Sequence, residues 1–185
     1  MKKIVNGFKR IRNEIIYVLL KPFGDAFSDR KFPATLLLKQ VIIQKILRIN
    51  GHVPWPVHAS SYVSAPNKII RGNRCPGLSR GCHIDGRNGT HFGENVWIGP
   101  RVSIISMNHD TNNYHQYIIE KPTIIGNNCW LGVNSTILPG VELGNHVIVA
   151  AGSVVTKSFP EDDIILAGVP AKIVKRLEPY GTLYP

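Results

Sequence analysis

A mainly β fold, a parallel solenoid advancing in six-residue steps, is what this sequence predicts, and three observations predict it. Reading every sixth residue from Ile125 gives Leu131, Ile137, Leu143, Val149 and Val155, an unbroken aliphatic register. Glycine follows three of these positions, at Gly126, Gly132 and Gly144. The fifth position of each cycle (Cys129, Ser135, Val141, Val147, Ser153) is small or aliphatic. Such a period matches neither the helical repeat of about 3.6 residues nor the alternation of a flat strand. It suits a short strand and a corner, repeated, with one aliphatic side chain per cycle turned to a shared axis and glycine and asparagine at the tight corners. Stacked coils then pair their backbones at about 4.8 Å and bury the aliphatic column.

The chain of 185 residues is long enough for one proper core without staples, and a hydrophobic fraction of 43% excludes disorder. Cys75, Cys82 and Cys129 have neither disulfide-scaffold nor zinc-ribbon spacing, which points to a reducing cytoplasm. No run reaches the length of a membrane span. The Ile15–Leu20 stretch is short, ends at Lys21 and lacks a cleavage site, so export is not expected. The net charge of +10 asks for an anionic partner. It gathers in the stretch that ends at Arg48 and around Lys172, Lys175 and Arg176, without the aromatic-interleaved groove that single strands need, so no nucleic-acid partner is expected.

From the start, Ile4, Phe8, Ile11, Ile15 and Val18 recur at helical spacing, with Lys2, Lys3, Lys9, Arg10 and Arg12 around the other face. Such a helix either lies on a membrane surface or packs on the protein body or a neighbouring subunit, and packing is the preferred expectation. A second helix is expected over Pro33–Ile49, stopped at Asn50-Gly51 and covering an end or side of the solenoid. Residues 53–76 carry four prolines that exclude regular helix and leave only irregular first coils. The register becomes clear at Phe92, Ile98 and Ile104, with Cys82–Asp85 and the turn-rich Gly86–Gly89 as the coil below. The step from Ile104 to Ile125 is not a multiple of six, so a polar loop at about 106–122 leaves the solenoid.

The segments FGENVWIGP (Phe92–Pro100), NHD (Asn108–Asp110), IIGNNCWLG (Ile124–Gly132), ILPGVELG (Ile137–Gly144), AAGSVVTK (Ala150–Lys157) and AGVPAKIVK (Ala167–Lys175) together resemble the hexapeptide-repeat acyltransferases. The likeness is greatest to sugar O-acetyltransferases of the maltose and galactoside type. It implies a left-handed parallel β-helix, a homotrimer, and an active site between two subunits where acetyl-CoA lies along the solenoid, with no metal. The domains expected on this basis are a helical segment at 1–52 packing on the solenoid, an acyltransferase β-helix at 53–178, and a tail at 179–185.

The resemblance makes His109, on the excursion, the general base. The chemistry wants such a group independently: an imidazole with an ordinary pKa of about 6.5 can take a sugar hydroxyl's proton at neutral pH. Positioned bases contribute about 10²- to 10⁴-fold. Asn108 and Asp110 either orient the imidazole or serve loop turns. Attack on the thioester creates an oxyanion that needs a backbone donor, and motif position gives that to the N–H of Val133. For acetyl-CoA the resemblance carries over to Trp130, Ala151, Thr156 and Lys157. Trp130 reads equally as a packed or interface aromatic. Lys172 and Lys175 stand where the family places arginines near the nucleotide phosphates, without the bidentate fork.

On the acceptor side the sequence departs from the family and offers His83, Asp85, Arg87 and Asn88, with Asp85 assigned to a sugar site and Asn88 to a turn. The expectation is an O-acetyltransferase moving acetyl from acetyl-CoA to a saccharide hydroxyl, such as that of a cell-envelope or capsular polysaccharide precursor, in the cytoplasm or at the inner face of the membrane. Within the same solenoid, an antibiotic acetyltransferase lacks its longer loop and tryptophan-rich tail here. A carbonic-anhydrase-like metalloenzyme would need three histidines to converge at a subunit interface; His83, His109 and His115 supply the residue type, but their spacing does not match that family's pattern. A non-catalytic scaffold fits poorly with an intact NHD loop.

Overall fold

In a computed structural model, residues 2–181 are described, with side chains from Asn6 onward. Lys2, Lys3 and Ile4 of the expected amphipathic pattern, as side chains, and residues 182–185 of the expected tail lie outside the described residues. The chain divides into two compact units between Ala59 and Ser60, a little beyond the boundary expected at 52.

In the first unit, α1 (Lys2–Leu20) is followed by two single turns and α2 (Ala34–Val41), which continues as a wider π-helical turn over Ile42–Ile46. The expected second helix thus starts one residue after Pro33 and stops short of Ile49. Leu20, with Ile16 and Tyr17 beside it, packs on Phe27, Leu37 and Val41, and the Tyr17 hydroxyl donates to the Phe32 carbonyl at 2.9 Å. The stripe singled out by helical spacing is a different one: Phe8, Ile11, Ile15 and Val18 are 55–70% exposed. Gln44 is fully buried and ties the unit's irregular end together. Its amide donates to the carbonyls of Asn50 and Trp55 and accepts from the Val57 N–H at 2.8 Å.

The second unit is the solenoid. Its first coils hold β1 (Tyr62–Ser64), β2 (Ile69–Ile70), β3 (His83–Asp85), β4 (Thr90–Phe92), β5 (Trp97–Ile98) and β6 (Ser103–Ile104). The excursion carries β7 (Asn108–His109) and β8 (Tyr117–Ile118). The regular coils follow: β9 (Thr123–Ile125), β10 (Trp130–Leu131), β11 (Thr136–Ile137), β12 (Glu142–Leu143), β13 (Val147–Val149) and β14 (Val154–Val155). The chain closes with β15 (Ile164–Gly168) and β16 (Ala171–Arg176). Three parallel faces result: β1-β3-β6-β11-β14, β2-β4-β9-β12, and β5-β10-β13-β15 extended by the antiparallel β16. That last strand covers what would be an open sheet edge.

Register explains the spacing. Leu131 pairs with Val149 and Ile137 with Val155, so three six-residue cycles make one coil. Ile98 pairs with Leu131 and Ile104 with Ile137, a longer step than one coil needs, and the surplus chain leaves the solenoid as the excursion. Ile125, Leu131, Ile137, Leu143, Val149 and Val155 are all buried to within 1%, and the fifth-position residues form a second buried row beside them.

The glycines that follow the aliphatic column are not its turning residues. The left-handed corner positions belong to Asn95, Arg101, Asn128, Asn134, His146 and Asp163 and to other glycines, Gly140 and Gly152 among them. Gly132 is required because the next coil passes directly over it: a Cβ there would lie 2.7 Å from both Ala151 N and Val149 O. The three cysteines are buried and form no disulfide, and burial pushes the Cys129 thiol up to about 11. Among the described residues no helix is long and apolar enough to cross a membrane.

Candidate active site

The excursion folds back on itself as a hairpin. β7 and β8 pair antiparallel, setting His109 opposite Tyr117 with ring centroids 4.5 Å apart. The turn between them is made by Asp110, whose Oδ1 accepts from the N–H groups of Asn112 (2.7 Å) and Asn113 (3.2 Å). Of the two roles expected for Asp110, the geometry gives it the turn. Asn108 is exposed, its main chain paired with Ile118. The His109 ring is oriented instead by the backbone: Nδ1 lies 2.6 Å from the Tyr114 carbonyl oxygen. A carbonyl only accepts, so Nδ1 carries the proton and Nε2 keeps its lone pair for another proton. His109 is exposed, within reach of an incoming molecule.

Asp85 roots this arrangement. Its carboxylate is fully buried and saturated. Oδ1 accepts from the Ser64 hydroxyl (2.6 Å), the Arg87 N–H (3.1 Å) and Arg87 Nε (2.9 Å). Oδ2 accepts from Arg87 Nη2 (3.1 Å) and from the N–H of Ser106, where the excursion begins (3.2 Å). Burial alone would raise its pKa. The Arg87 fork, the Ser64 hydroxyl and the two backbone donors outweigh that and hold the carboxyl well below the usual range. Arg87 in turn reaches over Tyr117, its guanidinium carbon 5.5 Å from the ring centroid. His83 packs on Tyr62 at 5.2 Å.

Arg87, Tyr117 and His109 are therefore brought together, while Asp85 stands behind them and has no oxygen to offer an acceptor. Asn88 makes the expected turn, its N–H bonded to Ser106 Oγ at 2.9 Å, but its Nδ2 is buried without a partner. Nothing in the sequence singles out Tyr117 or Tyr62. Their signal is weak: strands of two or three residues show no periodicity, and only the Asp110–Asn113 turn cluster hints at a hairpin.

The donor-side residues follow the coil geometry. Trp130 stands on the β5-β10-β13-β15 face directly above Trp97. With Asn95, Asn128, His146, Ile148 and Tyr180 the two indoles line a largely apolar cavity of about 390 Å³. Val133 and Ala151 occupy the equivalent corner of two successive coils, between that face and the β11-β14 face. Val133 also borders a groove with Arg80 and Arg101, two exposed cations that sequence reasoning passes over.

Thr156 and Lys157 are exposed at the other end of β14, on the corner from which the excursion departs two coils earlier, and Lys157 lies over Phe159. Lys172 and Lys175 lie on β16, opposite Ala167 and Ile165, three strands from Trp130 and so about 14 Å away at the usual strand spacing. Within one chain, then, His109 and the corner bearing Val133 and Ala151 sit on different edges of the solenoid. Nor do the three histidines of the metalloenzyme alternative converge: His83 packs on Tyr62, His109 is bonded to Tyr114, and the His115 side chain is exposed.

Comparison with known proteins gives a consistent picture. Residues 122–157 match the family described as hexapeptide repeat of succinyl-transferase. The chain is 36% identical over 154 residues to the galactoside O-acetyltransferase of Escherichia coli K12, covering 80% of this chain and 73% of that protein. It is 38% identical over 107 residues to WbbJ of the same organism, a protein assigned by its name to O-acetyl transfer in lipopolysaccharide biosynthesis; the match spans 51% of this chain and 54% of WbbJ. Among solved structures, galactoside acetyltransferase in complex with coenzyme A superposes with a TM-score of 0.59 at 22% identity, covering 93% of this chain and 82% of that one. That likeness is one of fold, and it makes the solenoid a left-handed parallel β-helix.

Proposed function

The chain belongs to the galactoside O-acetyltransferase family of hexapeptide-repeat proteins, and from that premise we propose that it transfers an acetyl group from acetyl-CoA to a saccharide hydroxyl with His109 as general base. The observation that carries this is the 2.6 Å bond from His109 Nδ1 to the Tyr114 carbonyl, which leaves Nε2 as the basic nitrogen on an exposed hairpin. Nε2 takes the proton of the acceptor hydroxyl as its oxygen attacks the thioester carbonyl. The resulting oxyanion is held by the Val133 N–H, and collapse expels the CoA thiolate, which recovers the proton from the imidazolium. Acetyl-CoA is a co-substrate, and no step calls on a metal.

The active enzyme in this reading is a cytoplasmic homotrimer. The separate placement of His109 and of the Val133–Ala151 corner supports it, because packing two solenoids edge to edge can set one chain's hairpin over another's donor corner. Trp130 takes the pantetheine arm, Ala151 its amides, and Thr156, Lys157, Lys172 and Lys175 the nucleotide end, with Arg80 and Arg101 as further cations at the Val133 groove. On the acceptor side Arg87 and His83 face the sugar, and Asp85 positions Arg87. A cell-envelope or capsular saccharide precursor is the acceptor class that best suits the likeness to WbbJ. Calorimetric titration with acetyl-CoA tests the donor half: saturable binding, weakened in Lys157→Ala, is expected, and its absence would overturn the reading.

A further inference from the structure

The first unit presents a surface that the transfer reaction does not use. At about 100° per residue of helix, Phe8, Ile11, Ile15, Val18 and Leu19 fall on one arc of α1. All five are 55–70% exposed. The helix already has its packing partner on a different side, where Ile16 and Leu20 meet Leu37 and Val41. An exposed arc of this size on a folded unit needs an occupant.

Charge says which. Residues 1–59 hold eleven Lys and Arg against three Asp and Glu, a net +8 of the chain's +10, while the solenoid unit is nearly balanced at +2. Lys9, Arg10 and Arg12 are themselves exposed on α1, with Arg12 at the rim of the apolar arc. A face destined for a second copy of the chain would bring +8 against +8; an anionic lipid surface complements it. The helix is too charged to span a bilayer. Apolar on one side and basic around it, it has the make-up of a helix lying in the interface, where the aliphatic arc enters the acyl boundary and the long cationic side chains reach the headgroups.

We infer that the apolar arc of α1 docks the protein on the surface of a membrane rich in anionic phospholipid. The proposal goes beyond acetyl transfer and does not depend on it. The test uses the full-length protein with extruded vesicles, some of phosphatidylcholine alone and others of phosphatidylcholine with phosphatidylglycerol. The protein is expected to co-sediment with the anionic vesicles, less with the neutral ones, and less at raised salt.

Ile11→Glu/Ile15→Glu should weaken vesicle binding at least about tenfold, while melting temperature, acetyl-CoA binding and mass in solution by light scattering stay unchanged. Lys9→Glu/Arg10→Glu/Arg12→Glu should remove the preference for anionic vesicles. Failure of the wild-type protein to co-sediment, or equal binding by the Ile11→Glu/Ile15→Glu protein, would overturn the proposal. So would a fall of that variant's mass to a single chain, which would give the arc to a second copy instead.

Discussion

Replacing Asp85 with asparagine removes the charge at the root of the hairpin while keeping its shape. The buried carboxylate accepts five hydrogen bonds, from the Ser64 hydroxyl, Arg87 Nε, Arg87 Nη2 and the N–H groups of Arg87 and Ser106. An amide can present only one oxygen, so its NH₂ must face donors, whichever way it turns. Hydrogen bonds to charged groups are worth about 1.5–3 kcal/mol each, and breaking a buried ion pair costs about 3–5 kcal/mol. The Arg87 side chain is 39% exposed and can find water, which sets the estimate at the lower end, about 3 kcal/mol. For a chain of this size that lowers the melting temperature by about 6–12 °C, read by calorimetry at fixed protein concentration. Because Ser106 begins the excursion that carries His109, kcat should fall as well, with acetyl-CoA affinity unchanged. A melting temperature within about 2 °C of wild type and an undiminished kcat would refute the view of Asp85 as anchor.

The same carboxylate sets a pH dependence. Its folded pKa is depressed below the ordinary value of about 3.9, so its contribution is present above that value and is lost as pH falls through the folded one. Wild-type protein should therefore lose more melting temperature than Asp85→Asn between pH 7 and pH 3, on the order of several degrees. Gly132→Ala, whose new methyl meets backbone at 2.7 Å, should destabilise by about 1–3 kcal/mol, and Leu131→Ala, fully buried in the column, by about 2–5 kcal/mol, both read from urea unfolding. Trp130→Ala should weaken acetyl-CoA binding about tenfold in calorimetry with little change in melting temperature, since this half-exposed indole is not part of the core.

What the sequence disclosed and what it hid follow from how each feature is encoded. The aliphatic column was legible because a coil of three equal cycles writes itself as an unbroken period, and the excursion because it breaks that period by an odd amount. The corners are legible in part. Asparagine and glycine are expected there, and Asn95, Asn128, Asn134, Gly140 and Gly152 do turn left-handed, but so does Arg101, which no residue preference flags. The glycines that follow the aliphatic column answer instead to the coil above, a contact distant in sequence.

In the candidate site, the place of His109 on the excursion is legible because the NHD motif sits at the register break. That of Tyr117 is not, because its link to His109 depends on a hairpin of two-residue strands. Asp85, set in a short polar turn, looked like a residue available to a sugar. Whether such a carboxylate points out or is swallowed depends on Ser64 one coil below and on where the chain leaves at Ser106, neither of which is local. In α1, helical spacing found the apolar stripe but not the side that packs, since Ile16 and Leu20 are equally apolar.

The most direct test of the account is transfer of labelled acetyl from acetyl-CoA to a panel of cell-envelope saccharides, run side by side with wild-type protein and His109→Ala at matched acetyl-CoA saturation. The account predicts a saccharide acetyl ester from the wild type, and a kcat lower by about 10²- to 10⁴-fold in the variant with acetyl-CoA affinity preserved. Equal transfer by both proteins would contradict it.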